Sequence, residues 1–185
     1  MKTKRNLLLL LMLLVLPFTL QAETFNVKKY GARGNGKKMD SPAIQKAIDE
    51  CSAAGGGQVV LRSGRTYYSS SIIIKPYVDL HLERGSVLKA HSDLTTYFHP
   101  NEGQKDNGVK IEGTPVTLKP SYAFIYAKNA DHMAITGDGV IDGNAFAFVK
   151  QVSQYYVTGD FYPRPTVIYV AVSYTHLTLP TKLEV

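Results

Sequence analysis

Ile44, Ala47, Ile48 and Cys51 fall at i, i+3, i+4 and i+7, the apolar stripe of one helix face. Ser41 at its head is a favourable N-cap, and Pro42 takes the first helical position, where a missing N–H costs nothing. Gly55-Gly56-Gly57 ends the run. The spacing predicts an amphipathic helix over residues 41–51. Upstream, Phe25-Asn26-Val27 alternates like a short strand, and residues 30–36, with glycines at 31, 34 and 36, read as a turn region. Downstream the period shortens. Residues 58–61, 71–74, 78–82 and 86–89 read as short strands, punctuated at Pro76 and at Arg84-Gly85. Alternation through Val78-Asp79-Leu80-His81-Leu82-Glu83 puts Asp79, His81 and Glu83 on an outward, solvated face.

The strand pattern repeats. Residues 77–88 align with residues 130–141 at an offset of 53, pairing Leu80 with Met133, Leu82 with Ile135, Val87 with Val140 and Leu88 with Ile141. Ile72-Ile73-Ile74 lines up more loosely with Phe124-Ile125-Tyr126. A repeated unit of strand, turn, strand, turn and strand suits successive coils that bury their inward residues against one another. Residues 91–120, polar and holding three prolines, read as a long loop projecting from the coil, and loops of that length are usually functional. The expected fold is all-β, a solenoid whose open first coil is covered by the helix at 41–51.

At 185 residues and 44% hydrophobic, the chain is too apolar for a disordered segment. One cysteine leaves no disulfide scaffold and no Cys-based zinc cluster. Residues 1–22 join Lys2, Lys4 and Arg5 to the apolar run from Leu7 to Leu16 and end on Ala22, the build of a cleaved secretory signal. The run is too short for a bilayer core of about 30 Å, and no cysteine near Ala22 offers a lipid acceptor. Cleavage removes three basic residues and no acidic one, since none precedes Glu23, so the formal net charge falls from +6 to +3. Nucleic-acid binding loses its basis. The mature protein is expected to be secreted or periplasmic, monomeric and free of the membrane.

At the other end, Val172-Ser173-Tyr174-Thr175-His176-Leu177-Thr178-Leu179-Pro180-Thr181 continues none of these patterns. It resembles a translated transposase-based sequencing adapter. That reading frame goes on as a lysine-type codon, two free codons, valine and a stop, matching Lys182, Leu183, Glu184 and Val185. Residues 172–185 are therefore expected to be an adapter artefact, with the natural protein continuing past about Val170. Other codons for residues 172–181 in the nucleotide record would overturn this. Residues 23–171 are left as the N-terminal part of a solenoid domain truncated at its C-terminal side.

Three segments carry a family resemblance. Phe25-Asn26-Val27-Lys28-Lys29-Tyr30-Gly31-Ala32-Arg33-Gly34-Asn35-Gly36, the helix, and Gly55-Gly56-Gly57-Gln58-Val59-Val60-Leu61 resemble the opening of pectinase-type right-handed parallel β-helix proteins. Asn129-Ala130-Asp131-His132-Met133-Ala134-Ile135-Thr136-Gly137-Asp138-Gly139-Val140-Ile141-Asp142-Gly143, followed by Arg164-Pro165-Thr166-Val167-Ile168-Tyr169, is similar to polygalacturonases of glycoside hydrolase family 28. The resemblance implies a right-handed parallel β-helix and a parent enzyme that hydrolyses glycosidic bonds of pectin or polygalacturonate, an acidic plant polysaccharide, with inversion. It implies no cofactor. The family's Asn-Thr-Asp, Asp-Asp, Gly-His-Gly and Arg-Ile-Lys motifs do not occur in this chain. No residue is assigned as catalytic, substrate contacts stay unassigned, and the chain alone is expected to be inactive. A pectate-lyase-like β-helix enzyme and a non-catalytic β-helix adhesin or tailspike-like polysaccharide-binding protein are the alternatives.

Candidate chemistry inside the chain is sparse. Asp138 and Asp142 flank glycines, where aspartate caps turns, so turn chemistry outweighs a catalytic acid–base pair. His81, His91, His99 and His132 lack ligand spacing, and no metal site is expected. Gly137, Gly139 and Gly143 are followed by no helical pattern that would make a dinucleotide loop. Cys51 sits on the core stripe rather than near a plausible base. Tyr97, Phe98, Tyr155, Tyr156 and Tyr162, in irregular stretches, are candidates for stacking on sugar rings. Lys105, Lys110 and Arg164 are candidates for pairing with uronate carboxylates.

Overall fold

A computed structural model of the protein describes residues 23–100, 109–111, 114–116, 122–148 and 164–171. The signal-like residues 1–22 and the adapter-like residues 172–185 lie outside them.

The chain climbs through three parallel sheets in rotation. β3 (Gly57–Leu61) lies in the first sheet, β4 (Thr66–Ser69) in the third and β5 (Ile72–Ile74) in the second. β6 (Val78–Leu82) and β7 (Val87–Ala90) return to the first and third sheets. β10 (Ala123–Lys128), β11 (Ala134–Gly137), β12 (Val140–Asp142) and β13 (Thr166–Ala171) carry the rotation on. Two early strands join the edges: β1 (Thr24–Asn26) pairs with β3, and β2 (Asn35–Met39) pairs with β4. Every pairing among these strands is parallel, and parallel crossovers of this kind are right-handed. The architecture is the expected right-handed parallel β-helix.

Inward residues stack in register to make the core. Val59 faces Leu80 and then Ile135; Tyr67 faces Leu88; Ile72 faces Ile125 and then Ile168. Val59, Leu61, Tyr67, Ile72, Leu80, Leu88 and Ile125 are fully buried. Tyr67 is tolerated there because its hydroxyl oxygen accepts the Arg62 N–H at 3.0 Å.

The repeat needs a correction of register. The third sheet pairs at the expected offset, Val87 with Val140 and Leu88 with Ile141. In the first sheet Leu80 faces Ile135 and Leu82 faces Gly137, an offset of 55. Four residues link β6 to β7 but only two link β11 to β12, so the later turn is shorter. A two-residue slip keeps inward residues inward. In the second sheet Ile72 faces Ile125, one residue on from the expected Phe124, and Ile125 and Ala127 take the inward positions.

Between β7 and β10 the projecting loop carries structure of its own. A single 3₁₀ turn spans Leu94–Thr96, and β8 (Val109–Ile111) pairs with β9 (Thr114–Val116) as an antiparallel hairpin. A short helix, α2 (Ala145–Phe148), follows β12.

The capping helix, α1, spans Ser41–Ala53, with Ile44, Ala47, Ile48 and Cys51 fully buried. Burial pushes the Cys51 thiol up to about 11, so it stays protonated and inert at neutral pH. Ser41 is not the N-cap. It lies in the first turn with its hydroxyl hydrogen-bonded to that of Ser70 at 3.0 Å, while Asp40 occupies the cap position.

α1 also seals a sheet edge. β1 and β2 cover the first coil in the first and third sheets, but β5 is the edge of the second. There the Gln45 carboxamide plays the part of a neighbouring strand. Its Oε1 accepts the Ile73 N–H at 2.8 Å, and its Nε2 donates to the Ile73 carbonyl at 3.0 Å. Gln45→Ala removes both bonds and should cost about 1–2 kcal/mol, read as a thermal midpoint lower by a few degrees. An unchanged midpoint would show that this edge needs no seal.

Candidate functional site

The first sheet presents a polar network on its outer face. Val78, Leu80 and Leu82 point inward, leaving Asp79, His81 and Glu83 outward as the alternation requires. The Asp79 carboxylate accepts from Gln58 Nε2 at 2.8 Å, and from the Thr136 hydroxyl at 2.8 Å to Oδ1 and 2.9 Å to Oδ2. That hydroxyl has one proton, so its oxygen must accept from His81 Nδ1–H, 2.8 Å away. The chain His81–Thr136–Asp79 therefore places a proton on His81 Nδ1 and does not engage Nε2. It ties the second coil to the third.

Further along, the Glu83 carboxylate accepts the Ser63 N–H at 2.8 Å and pairs with Arg62 at 2.7 Å. The Ser63 bond first, and then Arg62, hold its pKa below the ordinary carboxyl value. A depressed folded value adds stability above the unfolded pKa of about 4.3, which is lost as pH falls through the folded one. Glu83→Gln should therefore flatten the acid limb of a melting-temperature profile below about pH 4.3. The change should stay under about 1 kcal/mol, because the pair is largely wet. Parallel wild-type and variant profiles would remove the effect.

At the entrance to the same sheet, the Tyr77 and His132 rings stack with centroids 5.2 Å apart and planes 23° from parallel. Tyr77 is 55% exposed. Sequence patterning did not single out Tyr77, and weighed His132 only as a metal ligand.

The remaining expected residues scatter. Asp138 pairs with Arg84 across the turn at 3.2 Å; Asp142 accepts the Asn144 N–H at 2.7 Å and reaches Lys89 at 3.5 Å. Both make turn and surface contacts, as their flanking glycines suggested. His91 packs on Tyr68, with its Nδ1 accepting the Asp93 N–H at 3.1 Å, and His99 packs edge-on to Tyr122. Tyr97 corrects the expectation of a loop aromatic for binding. It is 7% exposed, packs edge-on against Phe124 and Phe148, and donates its hydroxyl to the His91 carbonyl at 2.6 Å. Phe98 is half-exposed but rests on Tyr126. Arg164 is exposed just ahead of β13, and Lys110 lies within β8. Tyr155, Tyr156, Tyr162 and Lys105 lie outside the described residues.

Comparison with known proteins agrees with this architecture. Over 114 residues the chain is 32% identical to a polygalacturonase of Ralstonia nicotianae, covering 60% of this chain and 20% of that one. A crystal structure of a hyperthermoactive exopolygalacturonase from Thermotoga maritima superposes with a TM-score of 0.53 at 28% identity, covering 66% of this chain and 25% of the other. A mannuronan C5-epimerase of Azotobacter vinelandii, AlgE3, is 54% identical, but over only 44 residues, 24% of this chain and 2% of the epimerase. The chain thus spans a fifth or less of these curated relatives. The family model for rhamnogalacturonase A/epimerase, pectate lyase-like proteins matches residues 24–169, and the chain belongs to that family.

Proposed function

We propose that this chain is the opening of a secreted or periplasmic polygalacturonase-like hydrolase, one that cleaves pectic polysaccharide by single displacement. A carboxylic acid would protonate the leaving oxygen while a carboxylate activates water on the opposite face of the sugar. The observation that carries this reading is the breadth of the match. Polygalacturonase similarity extends over 60% of this chain, against 24% for the epimerase. The basic and apolar signal-like segment before Glu23 supports export.

The complete protein, given polygalacturonate, should generate reducing ends with inverted anomeric configuration and no ultraviolet-absorbing unsaturated ends. Unsaturated ends would mean a lyase. Altered uronate stereochemistry without shortening would mean an epimerase, and binding without either would mean a non-catalytic polysaccharide-binding protein. Each of these outcomes overturns the hydrolase. Fractionation of expressing cells tests export, which fails if the protein stays in the cytoplasm at full length.

A further inference from the structure

Each coil enters the first sheet with a positive φ at the same register position, in the first coil within the run Gly55–Gly57, where every φ is positive. Gly56 has φ +111°, Tyr77 φ +62° and His132 φ +56°. The three share one register position: Gly57 faces Val78 and Asp79 faces Ala134 immediately downstream. Backbone bonds lock the position, with Gly57 N–H donating to the Tyr77 carbonyl at 3.0 Å and Tyr77 N–H to the Asp131 carbonyl at 2.9 Å.

The turn therefore dictates the backbone, and glycine meets it without strain. Asparagine is the next-best tenant, and Asn129 and Asn144 are the other non-glycine residues with positive φ among the described residues. Tyrosine is a poor one. Burial does not explain its presence, because Tyr77 is 55% exposed and His132 is exposed too. The strained turns carry a pair of stacked rings on the surface, and strain of this kind is a pointer to function. The aromatic column also stops short: its first-coil member, Gly56, has no ring. On the outer face that follows, the Asp79 oxygens are occupied by Gln58 and Thr136, which leaves His81 Nε2 as a hydrogen-bonding atom. His81 lies four strand residues from Tyr77, about 13 Å along the chain, within the span of a short oligosaccharide.

We propose that the Tyr77–His132 stack is a binding platform for a pyranose ring of a galacturonan segment, with His81 Nε2 receiving a hydroxyl further along the same segment. The choice of sugar rests on the polygalacturonase-like reading above. Because the rings are stacked, a sugar meets the face of one ring while the other backs it, and a ring held by a stacked neighbour has little freedom to lose on binding.

The test titrates a galacturonate hexamer into the full chain by calorimetry, alongside thermal melts. Tyr77→Gly removes the ring and relieves the strain. It should weaken binding about tenfold, equivalent to ~1.4 kcal/mol, while the melting temperature holds or rises. His132→Asn, which keeps a tolerant residue in the left-handed turn, should weaken it severalfold, and Tyr77→Phe should bind nearly as wild type. The proposal is overturned if the wild-type chain does not bind the hexamer, or if Tyr77→Gly binds as wild type whatever its melting temperature. Hydrolysis of polygalacturonate by a complete protein whose Tyr77 is dispensable would sink the platform and leave the hydrolase standing. Binding at Tyr77 in a protein that cuts no pectin would do the reverse.

Discussion

Gly137→Ala should cost about 3–5 kcal/mol, enough to separate the third coil from the second. Gly137 has φ +98° and faces Leu82 across the first sheet. A Cβ there would run into the Leu82 carbonyl oxygen and sit 2.8 Å from its carbon. Both neighbours are backbone, so neither can swing away as a side-chain tip would. Relief requires β11 to lift off β6, which would also stretch the bond from Gly139 N–H to the same carbonyl, now 3.0 Å. Gly64 is the control. It has φ +66° and nothing within 4 Å of a would-be Cβ, so Gly64→Ala carries the conformational term alone, about 1 kcal/mol. Urea unfolding of the two variants separates the contributions. Equal losses would mean that the Leu82 contact is harmless and conformation accounts for everything.

The same junction shows what sequence alone makes legible. α1 is readable because its buried positions keep a 3.6-residue period, and β6 because its alternation is strict over Val78–Leu82. β2 is not, since Asn35–Met39 is polar and mostly exposed, held by main-chain pairing to β4 rather than by a buried face. β4 hides for another reason: its inward anchor is Tyr67, a residue that reads as a surface aromatic until its hydroxyl finds Arg62 N–H. Register in the third coil depends on a turn shortened by two residues, which apolar spacing tolerates and therefore does not report. The loop candidates misled similarly. Tyr97 lies in an irregular stretch yet fills the core, whereas Tyr77 follows a proline at a turn and is the exposed one. Its link to Gly56 and His132 emerges only when three coils are laid in register, because φ at a tyrosine has no signature in composition. The family likeness was legible because the segments that carry it lie within residues 25–169, while the family's Asn-Thr-Asp, Asp-Asp, Gly-His-Gly and Arg-Ile-Lys motifs do not occur in this sequence.

Asp40→Ala is expected to be the most damaging polar substitution, at about 2–4 kcal/mol. Asp40 is 2% exposed, and its two carboxylate oxygens accept the Arg33 N–H at 2.6 Å and the Gly34 N–H at 2.9 Å. It thereby clamps the glycine-rich turn onto the head of α1. Its own N–H donates to the Tyr68 carbonyl at 2.8 Å and its carbonyl accepts from Ile44 N–H at 3.0 Å, so turn, β4 and helix meet at one residue. Alanine leaves two amide protons without their acceptors, that of Gly34 buried and that of Arg33 part-buried. Asparagine keeps one acceptor but turns an amide N–H₂ toward the other donor, so Asp40→Asn should lose roughly half as much. That ordering separates hydrogen bonding from charge. If Asp40→Asn matched wild type in urea midpoint at unchanged slope, a single acceptor would suffice, and the double clamp would be incidental to the stability of the cap. If it fell as far as alanine, the negative charge at the helix head would carry the effect instead.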